Sequence, residues 1–252
     1  GYLFGLLLFY FIGYWQIIYV SGSGFSLFYI LKNSNIIYES FSKTKLFGKT
    51  LYNSLVLFFS VFMKTALTYA DKLLLFPLLG STAVSIYYTA TLMGKILSLI
   101  ITPISSVMLS YLAKMSKIKM KQFVIIVALT TVFGLIGYFI IIFISEPILN
   151  LLYPSWANES LKLINVTTAT AILGVISSVI NPVILRFNHI NWQIVINLVN
   201  LILYTILVFG FYSLYGLMGF CFGMLIANII KLLLMISVFI FGYIKRKSMN
   251  TV

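Results

Sequence analysis

The sequence predicts an all-α fold: a polytopic bundle of about seven transmembrane helices, arranged as one helix followed by a six-helix lobe. Composition is the first reason, because 62% of the 252 residues are hydrophobic and only 8% are charged. A soluble domain carries about 25% charged residues. The second reason is that apolar runs of about 20 residues recur, which is the length a helix needs to cross a bilayer. Since a bilayer offers no hydrogen bonds, each run must satisfy its own backbone as a helix.

Seven apolar stretches reach this length, namely 2–20, 50–70, 84–104, 122–144, 163–185, 191–212 and 217–243. After the first stretch, apolar residues resume at 25–31, so either one broken helix covers 2–31 or an interfacial segment follows the span. We divide the chain into the last helix of a truncated N-terminal lobe (1–31), a basic linker (32–49) and a six-helix C-terminal lobe with a short basic tail (50–252). Because the chain starts at Gly1 inside an apolar run, we expect it to be a fragment of a longer protein.

Basic residues concentrate in alternate connections between the predicted spans. They are Lys32, Lys43, Lys45 and Lys49, then Lys114, Lys117, Lys119 and Lys121, then Arg186, and finally Lys245, Arg246 and Lys247. The other connections hold Lys72 and Lys162 with the acidic residues Asp71, Glu146 and Glu159. Loops rich in lysine and arginine stay in the cytoplasm, so the linker and the C-terminus are predicted to be cytoplasmic. The only sizeable outer loop is then expected at 145–162.

Other features argue against several classes of function. The net charge of +13 would suit nucleic acid, but a nucleic-acid binder carries its basic residues on a soluble face, and here they lie in short loops. The single cysteine, Cys221, and the single histidine, His189, have no partner ligands nearby, so we predict no metal site and no cofactor. The four acidic residues are far apart in the predicted topology, so we predict no catalytic set and no enzyme.

The segment from Phe62 to Lys114 is the most informative, with "FMKTALTYADK", "LGSTAVSIYYTATLMGK" and "ITPISSVMLSYLAK" in order. Later segments are "SEPILNLLYPSWANES", "ILGVISSVINPVILRFNHINWQIVINLVNLILYTILV" and "YGLMGFCFGMLIANIIKLLL". In their order and spacing, over about residues 50–245, these segments resemble the second half of the polysaccharide exporters and O-antigen flippases. Those proteins belong to the multidrug/oligosaccharidyl-lipid/polysaccharide exporter superfamily.

The resemblance implies two six-helix bundles that rock around a central cavity in the bacterial cell (inner) membrane. It also implies that undecaprenyl-pyrophosphate-linked oligosaccharide repeats are flipped from the inner to the outer leaflet, for surface polysaccharide such as O-antigen or capsule. The partners would be the bilayer, the lipid-linked oligosaccharide and other polysaccharide-assembly proteins. Two alternatives stay open, namely a multidrug exporter of the same superfamily and a polytopic membrane enzyme of polysaccharide assembly.

Three lysines, Lys64, Lys95 and Lys231, lie within predicted spans. A charge at the centre of a span costs at least about 2.5 kcal/mol on insertion scales, so such residues usually face a cavity or a partner. In a flippase, ammonium groups along the path would offset the cost of moving a pyrophosphate through the apolar core. We therefore take the three lysines as candidates for substrate binding. The alternative is that each long side chain reaches the membrane interface.

Four further residues are candidates for roles in the transport cycle. Asp71 and Arg186 are candidates for coupling or gating, although Asp71 also suits a structural role at a helix end beside outer water. Pro103 and Pro182 lie inside spans, where proline removes a helical hydrogen bond, so they are hinge candidates or static kinks. Gly219 and Gly223 form a GxxxG pattern, which we predict to pack against a neighbouring helix of the bundle.

Overall fold

A computed structural model of the chain describes residues 16–34, 45–115 and 117–249. All regular secondary structure in these residues is helical, which confirms the predicted all-α class. The helices are α1 (Gln16–Asn33), α2 (Phe47–Lys114), α3 (Met120–Leu152), α4 (Ala157–Phe187) and α5 (Asn191–Met249).

The chain divides into two compact units, residues 1–49 and 50–252. Within the first unit, α1 continues through Ser21–Gly24 without a break. The Ser26 hydroxyl donates to the Gly22 carbonyl at 2.9 Å, which adds to the helical hydrogen bonding at this glycine-rich point. Most of the predicted span 2–20, and residues 35–44 of the predicted linker, lie outside the described residues, so both stay predictions.

Helix α2 reverses direction at Gly80, whose backbone has φ 77° and ψ −179°. The Tyr87 hydroxyl donates to the Asp71 carboxylate at 2.8 Å, although residues so far apart in sequence would be separated by about 24 Å along one straight helix. The positive φ favours glycine, which has no Cβ to clash with the backbone. Residues 47–79 (α2a) and 81–114 (α2b) are therefore two helices packed side by side.

Helix α5 reverses in the same way at Gly216, with φ 56° and ψ −136°. Beyond the turn, a Cβ added to Gly223 would lie 2.8 Å from the Leu207 carbonyl oxygen, and one added to Gly219 would clash with the Phe211 backbone. Residues 191–215 (α5a) and 217–249 (α5b) thus form a hairpin whose backbones approach closely. The predicted packing of the GxxxG pattern within the bundle is confirmed.

The described residues of unit 50–252 consequently form six helices, each covering one of the six predicted spans between 50 and 243. Within the part of the chain that the structure describes, five helical segments are long and apolar enough to cross a membrane: 47–71, 74–99, 120–152, 157–187 and 191–246. The last has 56 residues, more than twice the length of about 20 that one crossing needs. Because it contains the Gly216 reversal, it supplies two crossings.

The connections are shorter than the sequence suggests, and the predicted outer loop 145–162 is wrong. Helix α3 runs to Leu152 and α4 starts at Ala157, so only four residues separate them. Pro147 lies inside α3, where it removes one hydrogen bond without ending the helix. A hydropathy pattern detects only the apolar part of a helix. Because α3 and α4 continue beyond their apolar parts, the predicted loop between them was too long.

Charge separates along the axis of the six-helix unit. The Tyr212 hydroxyl donates to the Leu78 carbonyl at 3.2 Å, so the reversals at Gly80 and Gly216 lie at the same end. The end of α2b, the start of α3 and the connection at 188–190 lie at the other end, together with the end of α5b. We call this second end the basic end, because it carries Lys114, Lys117, Lys119, Lys121, Arg186, Lys245 and Arg246. Glu146, Glu159 and Lys162 lie towards the Gly80 end.

Helix α4 is the central helix of the unit. Its apolar window is 61% buried, against 28% or less for the other spanning segments. At the basic end it packs into a cluster that includes Ile180, Ile184 and the stacked rings of Phe123 and Phe239, whose centroids are 3.7 Å apart. A helix buried on most sides touches several neighbours, so α4 is placed to contribute to a site inside the bundle.

Gly223→Ala and Gly210→Ala form a matched test of the α5 hairpin. A Cβ at Gly223 meets Leu207 at 2.8 Å, whereas one at Gly210 meets nothing within 4 Å. Overpacking of this kind costs about 1–3 kcal/mol, so we expect Gly223→Ala to lower the Tm and Gly210→Ala to leave it equal or slightly higher. The measurement is thermal unfolding of the purified protein in lipid nanodiscs. Equal Tm values for the two variants would contradict the close approach of α5a and α5b.

Candidate functional site

A cavity of about 350 Å³ lies inside the six-helix unit, between α2a, α4, α5a and α5b. Its volume is at the lower end of the range of about 300–1,000 Å³ that is usual for ligand pockets. Although the unit is strongly apolar, many of the residues that line the cavity are polar. Polar side chains within spans therefore collect here.

Two of the three lysines predicted within spans line this cavity. Lys64 comes from the middle of α2a and Lys231 from the middle of α5b. None of the described residues that line the cavity is acidic. Lys64 is exposed and Lys231 is partly buried, and an anion bound by both would be held by two positive charges. This pair of lysines favours an anionic ligand.

The other two helices bring only uncharged residues to the cavity. Helix α5a presents Gln193, Asn197, Asn200 and Tyr204 along one face, since steps of four, three and four residues match the helical period. Helix α4 adds Ser177, Ser178 and Asn181. We call the polar lining residues of α4 and α5a the neutral wall.

One member of the neutral wall has a structural role. The Asn197 side-chain amide donates to the Ser60 hydroxyl at 2.7 Å and to the Ser60 carbonyl at 3.3 Å. Both residues are buried. These bonds join α5a to α2a, so they hold the neutral wall beside the helix that carries Lys64.

Other polar atoms of the neutral wall are buried without a hydrogen-bond partner. They are Ser177 Oγ, Gln193 Nε2, Asn200 Oδ1 and Tyr204 Oη. Leaving a buried polar group unsatisfied costs about 1–3 kcal/mol. Native proteins keep few such groups, and each one calls for an explanation.

The neutral wall was not predicted from the sequence, because an amide or hydroxyl inside an apolar span is a weaker signal than a charge. A detectable signal was present in "NWQIVINLVNLILY", where amide side chains recur at the helical period inside an apolar span. Such a pattern indicates a face turned away from lipid, since an amide in hydrocarbon without a partner is costly.

Lys95, the third candidate lysine, does not line this cavity. It lies on α2b, where its Nζ is 4.4 Å from the centroid of the Tyr88 ring. A cation over an aromatic face is stabilised by about 2 kcal/mol or more when it is desolvated. The lysine candidates are therefore divided between two places, and substrate binding by Lys95 stays a prediction.

Asp71 lies in an apolar cluster at the Gly80 end, next to the cavity. It is 7% exposed and accepts the hydrogen bond from Tyr87 that spans the Gly80 reversal. The expectation of a helix-end residue beside outer water is wrong, because α2a continues to Gly80 and buries this position. Tyr87 belongs to the same cluster as Tyr204, which lines the cavity. Coupling or gating by Asp71 stays a prediction.

Arg186 joins two helices at the basic end. Its guanidinium donates to the Leu112 carbonyl at 3.2 Å and to the Met115 carbonyl at 3.0 Å. Carbonyls in the last turn of a helix lack helical partners. Arg186, near the end of α4, therefore supplies hydrogen-bond donors to the carbonyls at the end of α2b. Its observed contacts are structural, and a gating role stays a prediction.

Pro103 and Pro182 lie inside α2b and α4. The non-helical backbone found within α2 is at Gly80, and α4 continues through Pro182. The sharp changes of direction that build the cavity are therefore at Gly80 and Gly216, and motion at the two prolines stays a prediction.

Comparisons with protein-family models, with curated proteins and with solved structures found no match for this chain. The function has to be inferred from the cavity, the charge distribution and the sequence pattern.

Asn197→Leu and Asn200→Leu are a matched pair that tests the hydrogen bonding of the neutral wall. Leu at 197 removes the bonds to Ser60, and such interhelical bonds are worth about 0.6 kcal/mol on average and about 1.7 at most. Leu at 200 removes a buried oxygen that has no partner. We expect Asn197→Leu to lower the Tm and Asn200→Leu to keep or raise it, as measured by thermal unfolding in nanodiscs. An equal loss of Tm in both variants would contradict the conclusion that Asn197 is hydrogen-bonded to Ser60 while Asn200 Oδ1 has no partner.

Proposed function

We propose that this chain is part of a membrane transporter that flips a lipid-linked oligosaccharide pyrophosphate from the inner to the outer leaflet. The observation that carries the proposal is the cavity inside the six-helix unit, which is lined by Lys64 and Lys231 and by no described acidic residue. Residues 50–252 would then form one of two bundles of the complete transporter. The resemblance of the sequence motifs to polysaccharide exporters points the same way.

The physical problem for such a transporter is the headgroup. A pyrophosphate is strongly anionic, and its transfer through hydrocarbon without partners is prohibitive. Lysine ammonium groups at mid-depth provide charge-assisted hydrogen bonds to phosphate oxygens at the point where the cost is highest. The apolar outer surfaces of the surrounding helices leave the lipid chain of the substrate in contact with the bilayer.

A multidrug exporter is the nearest alternative, and the charge of the cavity argues against it. Exporters of cationic drugs would be expected to present carboxylates to their ligands, whereas the described charges that line this cavity are two lysines. A membrane enzyme is also disfavoured. The described acids Asp71, Glu146 and Glu159 do not line the cavity, so they offer no general acid or base there.

The charge separation suggests the orientation. We infer that the basic end faces the cytoplasm of a bacterial cell, with the C-terminus inside, because lysine- and arginine-rich connections are retained there during insertion. The basic residues collect at one end of the six-helix unit, whereas Glu146 and Glu159 lie towards the other end. This charge separation supports the orientation.

The double variant Lys64→Gln/Lys231→Gln tests the proposed function in proteoliposomes that contain the complete transporter. We expect the flipping rate of a fluorescent polyprenyl-pyrophosphate-linked sugar to fall by about tenfold or more, because two charge-assisted contacts to the headgroup are lost. Lys162→Gln is the matched control, since Lys162 is exposed and pairs with Glu159 at 2.8 Å.

Wild-type flipping by the double variant would refute an anionic cavity ligand. Transport of a cationic dye by the wild-type protein, without flipping of the lipid-linked sugar, would favour the multidrug exporter instead.

Single-cysteine variants test the orientation. Lys117→Cys at the basic end and Ser155→Cys at the opposite end are made in a Cys221→Ala background, which removes the one buried native thiol. In intact cells, an impermeant maleimide should label position 155 and leave position 117 unlabelled until the membrane is opened. Labelling of position 117 alone from outside would reverse the inferred orientation.

A further inference from the structure

At the basic end, the exposed surfaces of three helices change from apolar to positively charged within about one helical turn. On α2b, Tyr111 is exposed and the exposed Lys114 follows it three residues later. On α5b, Phe241 is exposed and the exposed Lys245 follows it four residues later. Helix α3 starts at this end, and its exposed Lys121 comes before exposed apolar residues. Aromatic residues and lysines are typical of the membrane–water interface, so these surfaces indicate that lipid headgroups lie at the level of these lysines.

The side chains of Lys114 and Lys117 have no negative partner among the described residues. Both are exposed, and neither takes part in a described hydrogen bond or ion pair. The described acids Glu146 and Glu159 lie towards the Gly80 end, where Glu159 pairs with Lys162. The charge of the two lysines at the basic end is therefore available to an external anion.

Two guanidinium groups add positive charge in fixed positions at the same end. The guanidinium carbons of Arg186 and Arg246 lie 6.0 and 5.7 Å from the centroid of the Phe187 ring. Arg186 is held by two backbone carbonyls of α2b, and the Arg246 Nε donates to the Gly242 carbonyl at 3.1 Å. Because carbonyls are neutral, these bonds position the guanidinium groups and leave their charge uncompensated.

Arg186 brings the guanidinium charge next to the lysines of α2b. Its Nη2 donates to the carbonyl of Met115, which lies between Lys114 and Lys117 in the sequence. The two hydrogen bonds of Arg186 use two of the five N–H donors of a guanidinium, and the side chain is exposed. A phosphate oxygen only accepts hydrogen bonds, and its bonds to a guanidinium are charge-assisted and strong. The geometry therefore suits a phosphate group.

We propose that the basic end binds the headgroup of an anionic phospholipid from the leaflet that it faces, with the phosphate on Arg186 and the negative charge beside Lys114 and Lys117. A phospholipid fits better than free phosphate, because exposed apolar residues such as Tyr111 lie one turn away and offer a surface to its acyl chains. Each lysine or arginine near a membrane surface strengthens the attraction for anionic lipid by about fivefold. The inference uses no residue of the cavity, so it does not depend on the proposed function.

Two phospholipids with the same acyl chains test the site. Dioleoyl phosphatidylglycerol has a net negative charge, whereas dioleoyl phosphatidylcholine has the same phosphate and an additional positive charge that the lysines repel. Native mass spectrometry of the complete protein in neutral detergent, at increasing lipid concentration, gives the affinity for each. We expect the wild-type protein to bind phosphatidylglycerol more tightly by about tenfold or more, since several basic residues act on one headgroup.

Three variants separate the site from the overall charge of the protein. Lys114→Gln/Lys117→Gln should lose most of the preference for phosphatidylglycerol and keep its affinity for phosphatidylcholine. Lys114→Arg/Lys117→Arg should keep the preference, because the charge is retained. Lys162→Gln should also keep it, because Lys162 lies at the opposite end and is paired with Glu159. All the replaced side chains are exposed, so the variants are expected to fold.

Equal affinities of the wild-type protein for the two phospholipids would overturn the proposal. An unchanged preference in Lys114→Gln/Lys117→Gln, or an equal loss in Lys162→Gln, would overturn the assignment to these lysines. An excess of inorganic phosphate should leave bound phosphatidylglycerol in place, and its displacement would mean a site for free phosphate instead of a lipid.

Discussion

A polar side chain inside a membrane span has to face protein or a water-accessible space, because hydrocarbon offers it no partner. That constraint organises the six-helix unit. Amides, hydroxyls and lysines that are far apart in sequence, from Ser60 to Lys231, are brought to one cavity. The same constraint explains why the outer surface of α3 remains almost wholly apolar, with large exposed residues such as Phe133, Phe139 and Phe143. The cavity accommodates much of the polarity of the spans, whereas Asp71 and Lys95 are accommodated by Tyr87 and Tyr88 outside it.

The two glycine reversals make this collection of residues possible. At Gly216 the chain turns within a single residue, so α5a and α5b lie in direct contact, and the small surfaces of Gly219 and Gly223 let their backbones approach. This brings Asn200 and Tyr204 of α5a into one cavity with Lys231 of α5b. At Gly80 the reversal is held by the bond between Tyr87 and Asp71, and it fixes the end of the helix that carries Lys64. A longer loop at either point would leave the relative depth of these groups less well defined.

The sequence was sufficient to predict the helical class, the six apolar cores of the unit and the cavity-lining position of Lys64 and Lys231, because each depends on a local property, either hydropathy or a charge inside a span. Features that depend on contacts between distant residues were not predictable. The extension of α3 past Pro147, the burial of Asp71 by Tyr87 and the position of Lys95 over Tyr88 are of this kind. The neutral wall is an intermediate case, since the period of Gln193, Asn197 and Asn200 was visible but the lack of partners for Gln193 Nε2 and Asn200 Oδ1 was not.

The two lysines of the cavity differ in their surroundings. Lys64 is exposed, whereas Lys231 is partly buried, so the attraction of Lys231 for an anion would be screened less by solvent. The proposed pair would therefore combine one strongly screened contact with one weakly screened contact. A transporter benefits from such a combination, because a substrate that is bound tightly at every point is released slowly on the far side of the membrane.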